Sequence, residues 1–380
     1  MQYLFFFVVG LSLIGSIAGS SNSIQDFVDQ LLSKYDNKLD VIEKNPLLVE
    51  RIYRYYQQKY PRAEQSRDFD STILMKHKEI FKENLKMILA HNQNPQSTFK
   101  LKLNHMSDWT DEESAAIRAK IPVEPIKTMS RIGTVQQRTL TVPDTYDWRN
   151  QTRVPNAVTP IKDQRHCGSC YAFAMVGALE KTYAQIYNAS GPLSAQQLID
   201  CSYESGCEGG SFVGTFRYIK DNGDRLNLEK DYPSTPNGAK QDKCQNSSGQ
   251  VLNYNQTFAL QYRQLPTNNE AYMKQTVYEQ GPIYVYYNAG KREGNNTVLR
   301  EASTKFDHYA TGIYDVPGCP THENMNHAMV IIGYGTENGT DYWLVKNSWG
   351  ASWGDNGYIK IKRNSNMCGI ATWPFYAGLF

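Results

Sequence analysis

Two cysteines three positions apart sit in DQRHCGSCYAF (163–173), directly ahead of apolar residues at helical spacing. Phe173, Val176, Leu179, Tyr183 and Ile186 recur three and four residues apart, which is the spacing of one helix face. Cys170 is therefore expected at the front edge of a helix. Unpaired N–H groups and the helix dipole favour a thiolate there. A thiolate becomes a useful nucleophile when a histidine carries its proton and a third group fixes the ring. His327 and Asn347 are the candidates, because nucleophile and base need to be neighbours only in the fold. Cys170 could equally be half of a redox pair with Cys167, a metal ligand, or an inert buried thiol. Zinc fits poorly, since no second closely spaced Cys or His pair follows, and the chemistry of a Cys–His pair requires no metal and no cofactor.

The elements that must position these residues are readable in outline. HAMVIIGYG (327–335), DYWLVKNSWG (341–350) and GYIKIKR (357–363) alternate in strand fashion, and TENGT lies between the first two. Its Asn338-Gly339 pair favours a tight hairpin turn. Folding back there brings His327 within a few residues' register of Asn347. Further upstream, STILMKHKEIFKENLKMILAHN (71–92) carries Ile73, Ile80, Phe81, Leu85, Ile88 and Leu89 at helical spacings, an amphipathic helix. Residues 115–141 show little periodicity and read as an exposed linker of the kind proteases cut.

With 380 residues, the chain has room for two or three cores. Lys plus Arg number 40 against 38 Asp plus Glu, so no charge excess points to nucleic acid. Residues 1–20 hold an apolar run from Tyr3 to Ile14 that ends in small residues, which reads as a secretory signal peptide too short to span a bilayer. No later stretch is apolar enough for a membrane span. Seven cysteines (167, 170, 201, 207, 244, 319 and 368) all lie in the C-terminal part; in an oxidising compartment, three disulfides would leave one thiol over. Six N-x-S/T sequons begin at Asn150, Asn188, Asn246, Asn255, Asn295 and Asn338, in agreement with export.

QRHCGSCYAF, NHAMVIIGYG and KNSWG resemble the three catalytic blocks of the papain family of cysteine proteases. VPDTYDWR, LSAQQLIDC and GCEGG resemble further landmarks of that family, and the likeness, strongest to its cathepsin L branch, covers nearly the whole chain after the signal peptide. The resemblance implies an α+β fold. Its peptidase domain would be papain-like and two-lobed, with a helical left lobe and an antiparallel β-barrel-like right lobe, preceded by a mainly helical propeptide. The implied limits are 1–20 for the signal peptide, 21–141 for the inhibitory propeptide with its linker, and 142–380 for the peptidase domain.

By the same likeness Cys170 is the nucleophile, His327 the general base and acid, Asn347 the group that orients the ring, and Gln164 the oxyanion-hole side chain. Trp349 shields the Asn–His hydrogen bond and borders the substrate cleft. Gly209 and Gly210 match the edge that pairs with an extended substrate. Ser211, Phe212, Met325, Ala328, Tyr286 and Trp373 match the pocket for the second residue before the cut. Large rings at 286 and 373, where small residues are common, imply a shallow pocket. The implied disulfides are Cys167 with Cys207, Cys201 with Cys244, and Cys319 with Cys368.

In the propeptide, Phe81, Asn84, Ile88 and Asn92 match the second half of the family's inhibitory helix, and Asn104, Met106 and Asp108 the short motif after it. Ile73 and His77 stand where that helix usually carries Glu and Arg, and Met106 where Phe is usual. Segments 150–158 and 291–309 look longer than in relatives and read as surface-loop insertions.

The expected activity is a thiol endopeptidase made as a zymogen, a monomer in the lysosome or outside the cell. Its partners would be peptide and protein substrates and its own propeptide, with no nucleic acid. The alternatives are an exopeptidase of the same family, prompted by Tyr171 where most relatives have Trp, and a non-catalytic or thiol-redox protein.

Overall fold

A computed structural model describes residues 23–62, 71–121, 141–151, 154–187, 191–245, 260–290, 297–322 and 325–379. The expected signal peptide, most of the expected linker, and the sequons at Asn188, Asn246, Asn255 and Asn295 lie outside the described residues. The chain divides into two compact units, one ending at Thr110 and the other beginning at Asp111.

The first unit is built from α1 (Ile24–Leu32), α2 (Lys38–Lys44), α3 (Pro46–Lys59), α4 (Ser71–Gln93) and the short strand β1 (Phe99–Leu101). Helix α1 starts on a capping box: Ser23 accepts from the Asp26 N–H while the Asp26 carboxylate accepts from the Ser23 N–H. It buries Ile24, Phe27, Val28, Leu31 and Leu32, one stripe at i, i+3, i+4, i+7 and i+8. Helix α4 follows the expected stripe with Phe81, Leu85, Ile88 and Leu89 buried, whereas Ile73 at its start is exposed. The Asn92 side chain imitates a strand, donating to the Leu101 carbonyl at 2.8 Å and accepting from the Leu101 N–H at 2.9 Å.

In the first half of α4, Lys78 pairs with Glu50 of α3 at 3.0 Å, and a second arrangement centres on Asp108. Buried Asp108 receives Arg62, whose Nη2 lies 2.8 Å from Oδ1 and whose Nε lies 3.3 Å from Oδ2. Hydroxyls of Tyr53 and Tyr56 donate to the same carboxylate at 3.2 and 3.0 Å. His77 stands beside them, its Nδ1 2.7 Å from the Asp108 carbonyl oxygen.

In the second unit the elements are α5 (Asp111–Ala116), β2 (Tyr146–Asp147), α6 (Cys170–Tyr187), α7 (Ala195–Cys201), α8 (Phe212–Asp221), β3 (Leu260–Gln264), α9 (Glu270–Glu279), β4 (Ile283–Tyr287), α10 (Thr297–Asp307), β5 (Tyr309–Tyr314), β6 (His327–Glu337), β7 (Thr340–Lys346), β8 (Tyr358–Lys362) and β9 (Pro374–Leu379). Its strands run in the order β5-β8-β7-β6-β4-β9-β3, with β2 added to β6. The β5–β8 pair is parallel and the other pairs are antiparallel. Helix α6 packs against β4, β6 and β9 on one side and against α7 and α8 on the other, so a helical layer and a sheet meet along it.

The expected hairpin is present. β6 and β7 pair from Glu337↔Thr340 at the turn to Val330↔Lys346 at the far end, with a bulge between Ile331 and Gly333. Asn338 and Gly339 hold the turn at φ 50° and 76°, left-handed values that Asn and Gly accept.

Two stretches differ from their reading as sequence. Residues 115 and 116, expected to open an exposed linker, end helix α5, and 117–121 alternate: Ile117, Ala119 and Ile121 are buried, while Lys120 between the last two is exposed. That is a strand-like period of two, too short to stand out among the charged residues around it. The 291–309 segment, read as a loop, contains α10. Leu299, Ala302, Ser303 and Phe306 are buried at helical spacing, and Asp307 ends the helix fully buried.

Candidate active site

Cys170 opens α6. The Ser169 carbonyl accepts from the N–H groups of Ala172 at 2.9 Å and Phe173 at 3.3 Å, which closes the first turn and leaves the thiol at the helix N-terminus. The loop ahead of it is tied down by a Cys167–Cys207 disulfide, and Cys201–Cys244 and Cys319–Cys368 are the other two bridges. Cys170 stays outside them as a buried free cysteine.

The hairpin delivers the other two groups. His327 begins β6 and Asn347 follows β7, and their side chains meet with Nε2 of His327 2.7 Å from Oδ1 of Asn347. The Ser348 N–H also donates to that oxygen, at 2.8 Å, which orients the carboxamide. Oδ1 can only accept, so Nε2 carries the hydrogen and Nδ1 of the neutral ring keeps its lone pair. Nδ1 makes no hydrogen bond among the described residues. The Trp349 ring covers the imidazole, with centroids 4.7 Å apart. A buried ion pair braces this geometry from behind: Lys346, next to Asn347, donates to the Thr159 carbonyl at 2.9 Å and reaches Glu180 of α6 at 3.4 Å.

Gln164 points its amide into the same space. Its Oε1 accepts from the Ser348 hydroxyl at 2.7 Å, which turns Nε2 inward. Nε2 donates to the carbonyls of Cys167 at 2.7 Å and Ile117 at 2.8 Å. The second carbonyl belongs to residues 111–121, which lie across the site as a peptide would. The Ala119 N–H donates to the Asn326 carbonyl at 2.9 Å, and the Lys120 N–H donates to the Glu208 carbonyl at 3.1 Å. A Cβ on Gly209, where φ is 126°, would stand 2.4 Å from the Lys120 carbonyl oxygen. Only glycine lets another backbone pass so close.

Covered in this way, both reactive groups are held neutral. Burial pushes the Cys170 thiol up to about 12, against the pull of backbone hydrogen bonds from Ala328, Ala119, Tyr171 and Cys170 itself. Burial likewise lowers His327 to about 3; its bond to Asn347 opposes that, the Arg118 charge adds to it and Asp307 opposes it. In the covered state desolvation of the thiol outweighs these backbone hydrogen bonds.

The residues matched to the specificity pocket are partly separated. Phe212 is fully buried and stacks on Phe375 at 4.3 Å, in the same apolar cluster as Tyr286, Ala328 and Cys170. Ser211 caps α8, accepting from the Gly214 N–H at 3.0 Å and donating to Glu204 at 2.7 Å. Gly210 lies against the Tyr171 ring. Tyr286 and Ala328 are cross-strand partners. The Tyr286 ring meets half-buried Trp373 edge-on at 6.2 Å, and its hydroxyl accepts from the Phe212 N–H at 2.6 Å. Met325, Ala328, Tyr286 and Cys170 share one apolar cluster with Ala119 and Ile121 of the covering segment.

Two buried side chains beside the site were not singled out from sequence, Arg118 and Asp307. They form a buried ion pair beside the site, Nη2 to Oδ1, at 2.7 Å. Motif spacing gave no sign of it, because one partner lay in an apparent linker and the other in an apparent loop. Among the described residues no group of three or more His, Cys, Asp or Glu side chains is gathered as a metal would need. Nor is any helix among them long and apolar enough to cross a membrane.

A thiol at a helix N-terminus, an imidazole held by a carboxamide, an inward-facing amide and a cleft filled by the chain's own segment define a latent cysteine peptidase. Residues 142–378 match the papain family cysteine protease and residues 54–114 the cathepsin propeptide inhibitor domain. Mouse (Mus musculus) cathepsin S is 39% identical over 311 residues, covering 78% of this chain and 82% of that protein. Germination-specific cysteine protease 1 of Arabidopsis thaliana is 34% identical over 380 residues, covering 96% and 92%. The solved digestive procathepsin L2 of Tenebrio molitor larval midgut superposes with a TM-score of 0.73 at 31% identity, over 87% of this chain and 99% of that one. The chain belongs to the papain family. It is a cathepsin L-like cysteine endopeptidase that carries an inhibitory propeptide domain.

Proposed function

We propose that Cys170 attacks the peptide carbonyl, with His327 as its base and acid, Asn347 as the group that orients the ring and Gln164 as an oxyanion donor. The observation that carries this is the His327–Asn347 bond, which leaves Nδ1 as the imidazole's acceptor in a site whose free cysteine opens a helix. His327 takes the thiol proton and the thiolate attacks. The oxyanion is met by the Cys170 N–H and by Gln164 Nε2, where the Ile117 carbonyl now sits. Protonated His327 gives its proton to the leaving amine, and water activated by the neutral ring then hydrolyses the thioester.

Latency follows from the same geometry. Residues 111–121 hold the pair dry, which favours thiol and neutral imidazole. Removing them lets water in and moves both groups toward thiolate and imidazolium. Loss of a propeptide ending near residue 141 is the corresponding activation step.

Small apolar side chains are the proposed preference at the second residue before the cut. The bond from the Phe212 N–H pins Tyr286 against Trp373, so the two rings stand as a floor rather than as mobile gates. The compartment is proposed to be lysosomal or extracellular, entered through the N-terminal signal, with the protein acting as a monomer. The three disulfides and the exposed sequons at Asn150 and Asn338 support export.

The test is acidification of the purified full-length chain, N-terminal sequencing of the product and assay against a peptide library. Cys170→Ala should lose turnover by about 10⁴-fold or more; hydrolysis surviving in that variant would overturn the catalytic roles, and strong selection of Phe would overturn the shallow pocket.

A further inference from the structure

Tyr171 is the second residue of α6, next to Cys170, and it is fully buried. Its hydroxyl donates to the Gly206 carbonyl at 3.1 Å. Its ring lies against Gly210, where an added Cβ would stand 2.8 Å from Cδ2 and Cε2. Gly206, at φ 62°, opens the single turn Gly206–Glu208, in a left-handed conformation that suits glycine. The Ser205 N–H donates to the Gly209 carbonyl at 3.2 Å, so this turn and the glycine edge after it form one piece. Two other links tie that piece to the loop ahead of the thiol. Cys207 is bridged to Cys167, and its carbonyl accepts from the Gly168 N–H at 2.9 Å.

These links bracket the sulfur. Residues 167 and 168 hold position 207 from ahead of Cys170, and residue 171 holds position 206 from behind it. The piece they hold is one along which a backbone already lies. The Glu208 carbonyl accepts from the Lys120 N–H at 3.1 Å, and a Cβ on Gly209 would stand 2.4 Å from the Lys120 carbonyl oxygen. Any peptide that pairs there is thereby set at a fixed place relative to the thiol. Of the three links, that of Tyr171 is made by a hydroxyl, so a single oxygen can be removed while the bridge, the backbone bond and the ring contact stay. That oxygen is buried and engaged with Gly206, so it acts through the turn and does not touch the reacting atoms.

Taken together with the peptidase reading of the cleft, on which it rests, we infer that Tyr171 is a positioning residue of the mature enzyme: its hydroxyl, through Gly206, keeps the Gly209–Gly210 edge in register with Cys170. It serves extended peptides that reach this edge and leaves the reactivity of the thiol alone. Register matters because a displacement of about 1 Å between a bound group and the attacking atom can cost about 100-fold in rate. Gly206 is buried, and a buried carbonyl that loses its donor is costly to keep in place, so deleting the hydroxyl shifts the turn and the edge with it. Cys170 stays where it is, since the first turn of α6 is closed by the Ser169 carbonyl with Ala172 and Phe173.

The experiment compares mature enzyme released from the full-length chain, unmutated and as Tyr171→Phe, which keeps the ring and deletes the hydroxyl. A fluorogenic peptide with three residues before the cut reads the edge. 4-Nitrophenyl acetate, which acylates the thiol with no residue that reaches the edge, and alkylation of Cys170 by iodoacetamide across pH read the nucleophile. For the peptide, KM should rise about fivefold to tenfold, the effect of one hydrogen bond, with kcat within about twofold. The ester rate, the alkylation rate and its pH profile should also stay within about twofold. An unchanged KM for the peptide would overturn the inference. A loss of similar size on the ester or in alkylation would overturn it too, since the hydroxyl would then serve the thiol itself. So would failure of Tyr171→Phe to yield folded zymogen, because the hydroxyl would then hold the fold and not the register. If the unmutated enzyme were alkylated at Cys170 but cut no peptide, the peptidase reading would fail first, a result distinct from an unchanged KM.

Discussion

Among the described residues, Arg62 and Arg118 each face a buried aspartate, and they sit in different places. Arg62 meets Asp108 within the helical N-terminal unit, where two tyrosine hydroxyls share the carboxylate and both partners remain on the same body. Arg118 meets Asp307 within the second unit, joining the segment that covers Gln164 to helix α10. The first pair is 18% and 3% exposed, the second 6% and 0%, so neither is a surface ion pair of negligible worth. The contrast lies in what remains afterwards. Breaking Arg62–Asp108 disturbs the packing of one helical unit, whereas breaking Arg118–Asp307 loosens the segment that covers the site. An ion pair holds a core or holds a cover according to which elements carry its partners.

Removing Asp108 should give the larger effect. In Asp108→Ala, Arg62 and the hydroxyls of Tyr53 and Tyr56 lose a common acceptor. Truncating one partner of a buried pair typically costs about 3 to 5 kcal/mol. The first unit should then unfold at a markedly lower temperature than in the unmutated zymogen while the second keeps its transition, as followed by calorimetry on full-length protein carrying Cys170→Ala. A single unchanged transition would show that the two arginine pairs are not distinguished in this way.

Arg118→Ala should leave both units folded and loosen only the cover. Loss of a hydrogen-bonded charge pair at an interface costs about 2 kcal/mol or more, roughly a thirtyfold rise in the fraction of molecules with an open cleft. The rate at which an epoxide thiol trap labels Cys170 in the zymogen at neutral pH reads that fraction directly. Arg118→Lys should recover only part of the latency, since an ammonium cannot span the same acceptors.

Acid should weaken the same cover, and the sign follows from His327. Its ordinary value is 6.5 and the covered state lowers it to about 3 through burial, so the covered state binds fewer protons than the open one. The stability this group lends to the cover is complete above about pH 6.5 and is lost as pH falls toward 3. Labelling of the zymogen, divided by labelling of mature enzyme at the same pH, should rise through that window. A flat ratio would mean that His327 is not the group that senses acid.

How much of this was readable beforehand depended on whether the determinants were local. The turn at Asn338-Gly339 fixes the β6–β7 register, so the meeting of His327 with Asn347 followed from residues within one hairpin. The apolar spacing after Cys170 gave α6 for the same reason. Asp108 was recognisable as part of a motif, but its partner Arg62 was not, since nothing local links it to a carboxylate 46 residues on. Helix α10 was readable in principle through Leu299, Ala302, Ser303 and Phe306; the charged residues among them made the stretch look like a loop. The Arg118–Asp307 pair spans 189 residues, and only the assembled fold joins its halves. Phe212 matched a pocket position by resemblance; its stacking on Phe375, 163 residues on, was not readable from local spacing.

Lys120 provides the finest test of the contrast. It follows Arg118 by two residues on the same extended backbone, and its Nζ approaches Glu208 at 3.8 Å, so by charge alone it makes a second ion pair to the enzyme. Its side chain is 88% exposed and that of Glu208 74%. Water already solvates both groups, salt screens them, and holding two long side chains together costs rotamer freedom. The attachment of the segment at this residue comes instead from the backbone N–H to the Glu208 carbonyl, which a side-chain change does not touch. Lys120→Ala should therefore change zymogen labelling at neutral pH by no more than about twofold, against roughly thirtyfold for Arg118→Ala. If the two variants loosened the cover equally, net positive charge on the segment, rather than the buried pocket at Asp307, would be what keeps the enzyme shut.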